Sequence, residues 1–225
     1  MRRPSLLVLD VNETLSDMTA MADRFEEVGA PGHLAQPWFA GVLRDGFALA
    51  MHGEAQPLKA ISVETLRGTL HDQDLDRSVD DAIEHVMAGF AGLGVHDDVA
   101  DGLRDLDGLG TRLVTLSNGA TTVAEQLLER AGLLGHLDRL LSVEDAGTWK
   151  PAGAAYAYAL EQCGVEPQQA MLVASHPWDT DGAARAGLQT AWVNREGRPF
   201  PAHFRVPDLE VASLVELAER LRDLS

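Results

Sequence analysis

Four short apolar runs punctuate the chain, and each stops at small polar or acidic residues. They are Leu6-Leu7-Val8-Leu9 before Asp10, Leu113-Val114-Thr115-Leu116 before Ser117-Asn118-Gly119, Met171-Leu172-Val173-Ala174 before Ser175, and Thr190-Ala191-Trp192-Val193 before Asn194-Arg195. Unbroken apolar runs of this length predict strands buried on both faces, as in a parallel sheet. Helical spacing fills the intervals. Val123–Ala131 stops at Gly132, Ala154–Gln162 stops before Gly164, and Leu209–Leu224 places Val211, Leu214, Val215, Leu217, Ala218 and Leu221 on one face. Strands alternating with helices predict an α/β domain with a doubly wound, mostly parallel sheet.

Residues 16–95 follow a different pattern. Trp38–Met51, Leu58–His71 and Val79–Phe90 read as helices, and no strand pattern accompanies them. Because this stretch follows the first strand directly, it predicts a helical cap (16–95) inserted into a core made of 1–15 and 96–225. The cap would lie over the carboxyl edge of the sheet, where open α/β folds bind their ligands.

Composition narrows the function. Apolar residues at 45% and charged residues at 24% suit a globular chain and exclude wholesale disorder. The net charge of -17 disfavours nucleic acid and anionic membrane surfaces as partners, so a small anionic ligand would need its own local cations. Cys163, the single cysteine, provides neither an internal disulfide nor a zinc cluster. The apolar run after Ser5 is too short for a signal-peptide core, and no run approaches a membrane span. The expected location is therefore cytoplasmic.

The strand ends carry the candidate chemistry. Asp10 closes the first run, and a carboxylate there serves as a nucleophile, a metal ligand or a turn cap. Thr14 lies one turn later, Ser117-Asn118 closes the second run, Lys150 precedes Pro151, and Asp179 follows the third run. A nucleophilic acid, hydroxyl and amide donors, a lysine and a second acid, in that order, make a specific constellation.

This order resembles the haloacid dehalogenase superfamily over nearly the whole chain, and within it the (S)-2-haloacid dehalogenases. Trp178-Asp179 matches the end of that branch's acidic loop, and Gly182-Ala183 and Thr190–Arg195 continue the match. The resemblance implies Asp10 as nucleophile, Thr14 orienting it, Lys150 as counter-charge and Asp179 as activator of water. It also implies substrate or halide contacts from Ser117, Asn118, Asn12, Tyr156, Ser175, His176 and Trp178, with Arg44 of the cap as the substrate's cation. Magnesium phosphatases of the superfamily carry a proton-transferring Asp where this chain has Asn12, and a metal carboxylate where it has Ser175. An amide cannot exchange a proton at neutral pH. The implied site is thus free of metal and cofactor.

The implied reaction is hydrolysis of short 2-haloalkanoates, extending to fluoroacetate where the leaving group is strongly stabilised, and the implied assembly is a homodimer. Two alternatives stay open at this point: a magnesium-dependent phosphatase of a small phosphorylated metabolite, and a non-catalytic binder of small carboxylates. The chain also departs from the dehalogenase pattern. Asn12-Glu13 stands where the branch has Tyr-Gly, His176 replaces an Asn, and Ala174 replaces a Ser.

Overall fold

A computed structural model describes residues 2–224; Met1 and Ser225, the outermost positions of the expected core, lie outside the described residues. Six strands form one wholly parallel sheet: β1 (Leu6–Leu9), β2 (Arg112–Ser117), β3 (Arg139–Ser142), β4 (Ala170–Ala174), β5 (Gln189–Val193) and β6 (Leu209–Val211). Their spatial order is β3-β2-β1-β4-β5-β6. The chain steps outward from β1 to β3, then crosses back to β4 on the other side of β1. The carboxyl ends of β1 and β4 therefore flank the point where the winding reverses, the usual position of a ligand crevice.

The continuous apolar runs follow from burial on both faces. Leu6 and Val8 of β1 join one apolar layer, while Leu7 and Leu9 join the other. The second layer is closed by α5 (Val99–Gly108), α6 (Thr121–Arg130) and α10 (Leu214–Arg222). The first is closed partly by α8 (Gly153–Cys163), and it extends without a break into the helices between β1 and α5.

Those helices are α1 (Met21–Glu26), α2 (Ala35–Ala50), α3 (Leu58–Leu70) and α4 (Val79–Ala91). The chain leaves the sheet after Leu15 and returns at Val95. Ser16 and Val95 form an antiparallel bridge there, and the amides of Asp17 and His96 donate to the carbonyls of Gly94 (2.9 Å) and Leu15 (3.0 Å). Both strands of this connection are thus pinned side by side. Inside the inserted helices, Trp38 packs on Phe25, Phe39 and Phe90 with centroids 5.6–6.3 Å apart.

Two elements differ from the sequence expectation. Leu209–Leu224 is not one helix: Leu209–Val211 adds the edge strand β6, and Ser213 then caps α10 by accepting from the Glu216 amide at 3.0 Å. β3 was not expected either, because its sequence Arg-Leu-Leu-Ser holds only two apolar residues and its first residue is exposed. Edge strands are covered less than central ones, which weakens their apolar signature.

The insertion meets the core at Gly46 of α2, which lies against the indole of Trp149, a buried residue that also donates from Nε1 to the Gln56 carbonyl at 3.0 Å. A methyl group at position 46 would sit 2.3 Å from the Trp149 ring. Gly46→Ala should therefore destabilise the fold by about 1–3 kcal/mol through overpacking, read as a lower urea midpoint.

Candidate active site

Asp10 follows β1 and continues its ladder, its amide donating to the Val173 carbonyl of β4 at 3.0 Å. This fixes the carboxylate at the sheet's carboxyl edge, where it is almost fully buried. Lys150 arrives on the loop between α7 (Val143–Ala146) and α8. Its Nζ donates to Asp10 Oδ1 at 2.8 Å and to Asp179 Oδ2 at 2.7 Å, and its side chain is wholly enclosed. Asp179 sits in the first turn of α9 (Pro177–Arg185), whose N-terminal dipole favours a negative charge. The Tyr156 hydroxyl on α8 donates to Asp179 Oδ1 at 2.6 Å.

These contacts set the ionisation of the cluster. Burial pushes the Asp10 carboxyl up, but the neighbouring Lys150 and His176 outweigh it and hold it well below the usual carboxylate range. Burial pulls the Lys150 ammonium down, and the two carboxylates more than restore it. For Asp179 burial prevails. Lys150 opposes the shift and Asp10 adds to it, so the Asp179 carboxyl stands above its ordinary value. Tyr156 is raised well above the ordinary phenol by burial and by Asp179, which keeps its hydroxyl a donor.

Thr14 donates to Asp10 Oδ2 at 2.6 Å and accepts from the Ser175 amide at 2.9 Å. It joins the ends of β1 and β4. Ser117 Oγ accepts from the Gly119 amide at 2.9 Å, which leaves the hydroxyl proton to donate elsewhere. Asn118 clasps the Lys150 backbone, its Oδ1 accepting from the Lys150 amide at 3.0 Å and its Nδ2 donating to the Lys150 carbonyl at 3.4 Å. The amide side chain thus holds the lysine loop against the end of β2. Asn12 is buried beside a small pocket that Phe90 and Arg130 also line.

His176 precedes α9. Its Nε2 lies 2.7 Å from Glu13 Oε2, and its Nδ1 lies 3.6 Å from Asp10 Oδ2, just beyond hydrogen-bonding distance. Burial lowers the imidazole's pKa, but the two flanking carboxylates push it up to about 10. Trp178 stacks on His176 at 5.0 Å and meets Phe47 of α2 edge-on at 4.9 Å, so it joins loop to insertion. A cleft of about 780 Å³ opens at this junction, lined from the insertion by Met18, His33 and Phe39 and from the core by Ser175, His176 and Arg195. Ser175 and His176 belong both to the cleft wall and to the Asp10 cluster.

Arg44 stands apart from this cluster. It lies on an exposed face of α2, and its guanidinium pairs with Asp45 at 2.8 Å. Helical phase explains the placement. The buried stripe of α2 runs through Ala35, Trp38, Phe39, Val42 and Gly46, and a residue two places from Val42 points about 200° away. Asp181 likewise turns outward, to Arg185 at 2.7 Å and the Arg205 amide at 3.0 Å. The residue that sequence reasoning passed over is Glu13, noted only as a departure from a pattern. Its signal is the pairing of two departures, Glu13 and His176, which contact each other.

Comparison with known proteins gives the family. A family model described as a haloacid dehalogenase-like hydrolase matches residues 5–187. The chain belongs to the haloacid dehalogenase-like hydrolases. Among this family's curated members it is 27% identical over 213 residues to haloacetate dehalogenase H-2 of Moraxella sp. (strain B), covering 94% of this chain and 95% of that one. It is 28% identical over 216 residues to the (S)-2-haloacid dehalogenase of Pseudomonas sp. (strain YL), covering 95% and 92%. Among solved structures, a dehalogenase with an intermediate complex superposes with a TM-score of 0.91 at 26% identity over 98% of both chains. The protein is accordingly a hydrolase built on this family's fold. Among the described residues, no helix is long and apolar enough to cross a membrane.

The His176 shift fixes a sign for stability against pH. Its folded pKa is above its unfolded value, so the imidazolium's contribution is fully present below about 6.5 and is lost as pH rises through about 10. The pH-dependent part of the stability difference between wild type and His176→Gln, about 5 kcal/mol at most, should shrink over that window in urea titrations.

Proposed function

We propose that this hydrolase removes halide from short 2-haloalkanoates through an ester on Asp10. The observation that supports this most strongly is the buried Asp10–Lys150–Asp179 cluster, in which one ammonium holds two carboxylates at the sheet edge. A carboxylate held ionised and enclosed, with Thr14 fixing its orientation, is equipped for attack on carbon. Asp10 displaces the halide at C2, forming a C–O bond as the carbon–halogen bond breaks with its electron pair. The product of this step is an ester between Asp10 and the 2-hydroxyalkanoate.

Water then attacks the ester carbonyl on Asp10, and Asp179 takes the proton. Its raised pKa makes it a stronger base than an ordinary carboxylate. Each of its oxygens accepts one hydrogen bond, from Tyr156 or Lys150, and lone pairs are left for the water. Collapse releases the 2-hydroxyalkanoate and restores the Asp10 carboxylate, so the free halide and one proton are the net by-products. The Ser117 hydroxyl and neighbouring amides are suited to the substrate carboxylate, with Asn118 keeping Lys150 in place. Fluoroacetate falls within this reading as the most demanding substrate, since fluoride is the poorest leaving group of the series.

Asn12 and Ser175 support a route without metal, because neither supplies the carboxylate that a magnesium site favours. Halide release from 2-chloropropionate should therefore survive EDTA; loss on chelation with recovery on added magnesium would point to the phosphatase-like alternative. Isotope labelling tests the covalent step. In one turnover in ¹⁸O water, the hydroxy acid should emerge largely unlabelled while label enters Asp10, and Asp10→Asn should abolish both. A fully labelled first product with unlabelled protein would show that water attacks C2 directly.

A further inference from the structure

Glu13 has φ of 62°, the only non-glycine residue in the left-handed region among the described residues. Such a conformation is strained for a residue that bears a side chain and persists where surroundings impose it. Here the imposed turn sends the carboxylate to His176 Nε2 at 2.7 Å, while the Glu13 amide donates to Ser16 Oγ at 3.2 Å. The ring's other nitrogen, Nδ1, is buried without a hydrogen-bond partner and faces Asp10 Oδ2 at 3.6 Å. A buried ring nitrogen that faces a nucleophile's carboxylate without completing a hydrogen bond to it calls for an explanation.

The mechanism above lacks a cation for the substrate. Lys150 is committed to two carboxylates and Arg44 points to solvent, while of the two arginines that line the cleft Arg195 is held by Asp98 at 2.8 Å and Arg198 is paired with Glu196. His176 lies in the cleft wall, on the side of Asp10 away from Lys150 Nζ's contact with Oδ1. The Glu13–His176 pair carries no net charge, but its two ends differ in setting. The Glu13 side chain is 35% exposed and the His176 side chain 15%. The negative end is therefore better screened by water, and the positive end acts where screening is weaker.

We propose that the Glu13–His176 pair is the anion-binding element of this site: Glu13 orients the ring, and His176 offers Nδ1–H to the substrate's carboxylate or departing halide beside Asp10. The inference rests on the dehalogenase reading for its role in turnover, but not for the anion site itself. The groups that face the ring are Asp10 and Glu13 from β1 and the turn after it, with Lys150 beyond Asp10. Asp17, His96 and Arg195 line the same cleft, and Trp178 covers the ring's face. The charged state favoured by this environment matches the role.

The test uses the full chain at pH 7, with bromide as halide probe and propionate as carboxylate probe. Ring nitrogen resonances of His176 should report an imidazolium in the wild type. In Glu13→Gln the ring should lose its proton at least about one pH unit lower. His176→Gln should lower kcat/KM for 2-chloropropionate about 100-fold. It should also weaken bromide binding about tenfold if the ring serves the halide, or propionate binding by the same factor if it serves the carboxylate. Glu13→Gln, whose side chain still reaches the ring, should show a milder fall in kcat/KM that tracks the fraction of charged His176.

A neutral His176 in the wild type would overturn the inference. So would unchanged bromide and propionate affinity in His176→Gln. Should His176→Gln fail to fold, the Glu13→Gln titration and binding data decide alone. A wild type that binds bromide or propionate through His176 yet releases no halide from any 2-haloacid would overturn the function proposed above and leave this site standing.

Discussion

One buried ammonium holds this site together. Lys150 is enclosed completely, and its Nζ has a carboxylate on either side at 2.7–2.8 Å. An ion this deep is tolerated only when paired and hydrogen-bonded, and removing one partner strands the others at a cost of several kcal/mol. Asp10 and Asp179 could not both be ionised at such proximity without it. The surrounding structure supports this one group: the end of β2 holds its backbone through Asn118, β1 and β4 carry Asp10 and the turn into α9, and α8 lends the Tyr156 hydroxyl. Three strand ends and two helices supply the groups that hold this lysine and its two carboxylates.

The convergence follows from the winding of the sheet. With strand order β3-β2-β1-β4-β5-β6, β1 and β4 are neighbours although some 160 residues separate them in the chain. Their carboxyl ends diverge into the inserted helices on one side and into α9 on the other. Thr14 bridges the gap, bonded to Asp10 and to the Ser175 amide. Gly182 of α9 then allows the close approach of α8. A Cβ there would lie 2.6 Å from both the Tyr156 hydroxyl and Pro151, displacing the donor that Asp179 uses.

The anionic substrate of the proposed function would have to be accommodated by a chain of net charge -17. Most acidic residues lie at the surface, where salt screens them over about 8–10 Å. The charges that matter are few, enclosed and balanced in place. Glu13 and His176 extend that balance to the cleft, with a strained backbone turn setting the carboxylate's direction.

The apolar runs ending at Leu9, Leu116, Ala174 and Val193 determined a parallel sheet by themselves, because only strands buried on both faces need such uninterrupted apolar sequence. The order Asp10, Ser117, Lys150, Asp179 likewise determined the chemistry to seek at the strand ends. Local pattern was weaker where burial is partial: β3 and the three-residue β6 lie toward the sheet's edges and carry little apolar signal. The helical spacing of Val99, Leu103 and Leu106 in α5 is likewise faint in the sequence, since Asp and Gly dilute the stripe. Tertiary structure alone decided which charged residues meet. Arg44 falls outside the cluster because α2 buries the opposite face, and Glu13 enters it because a left-handed turn aims its side chain at a residue 163 positions away. Helical phase and backbone turns set directions in space, and linear spacing carries no record of the partner waiting there.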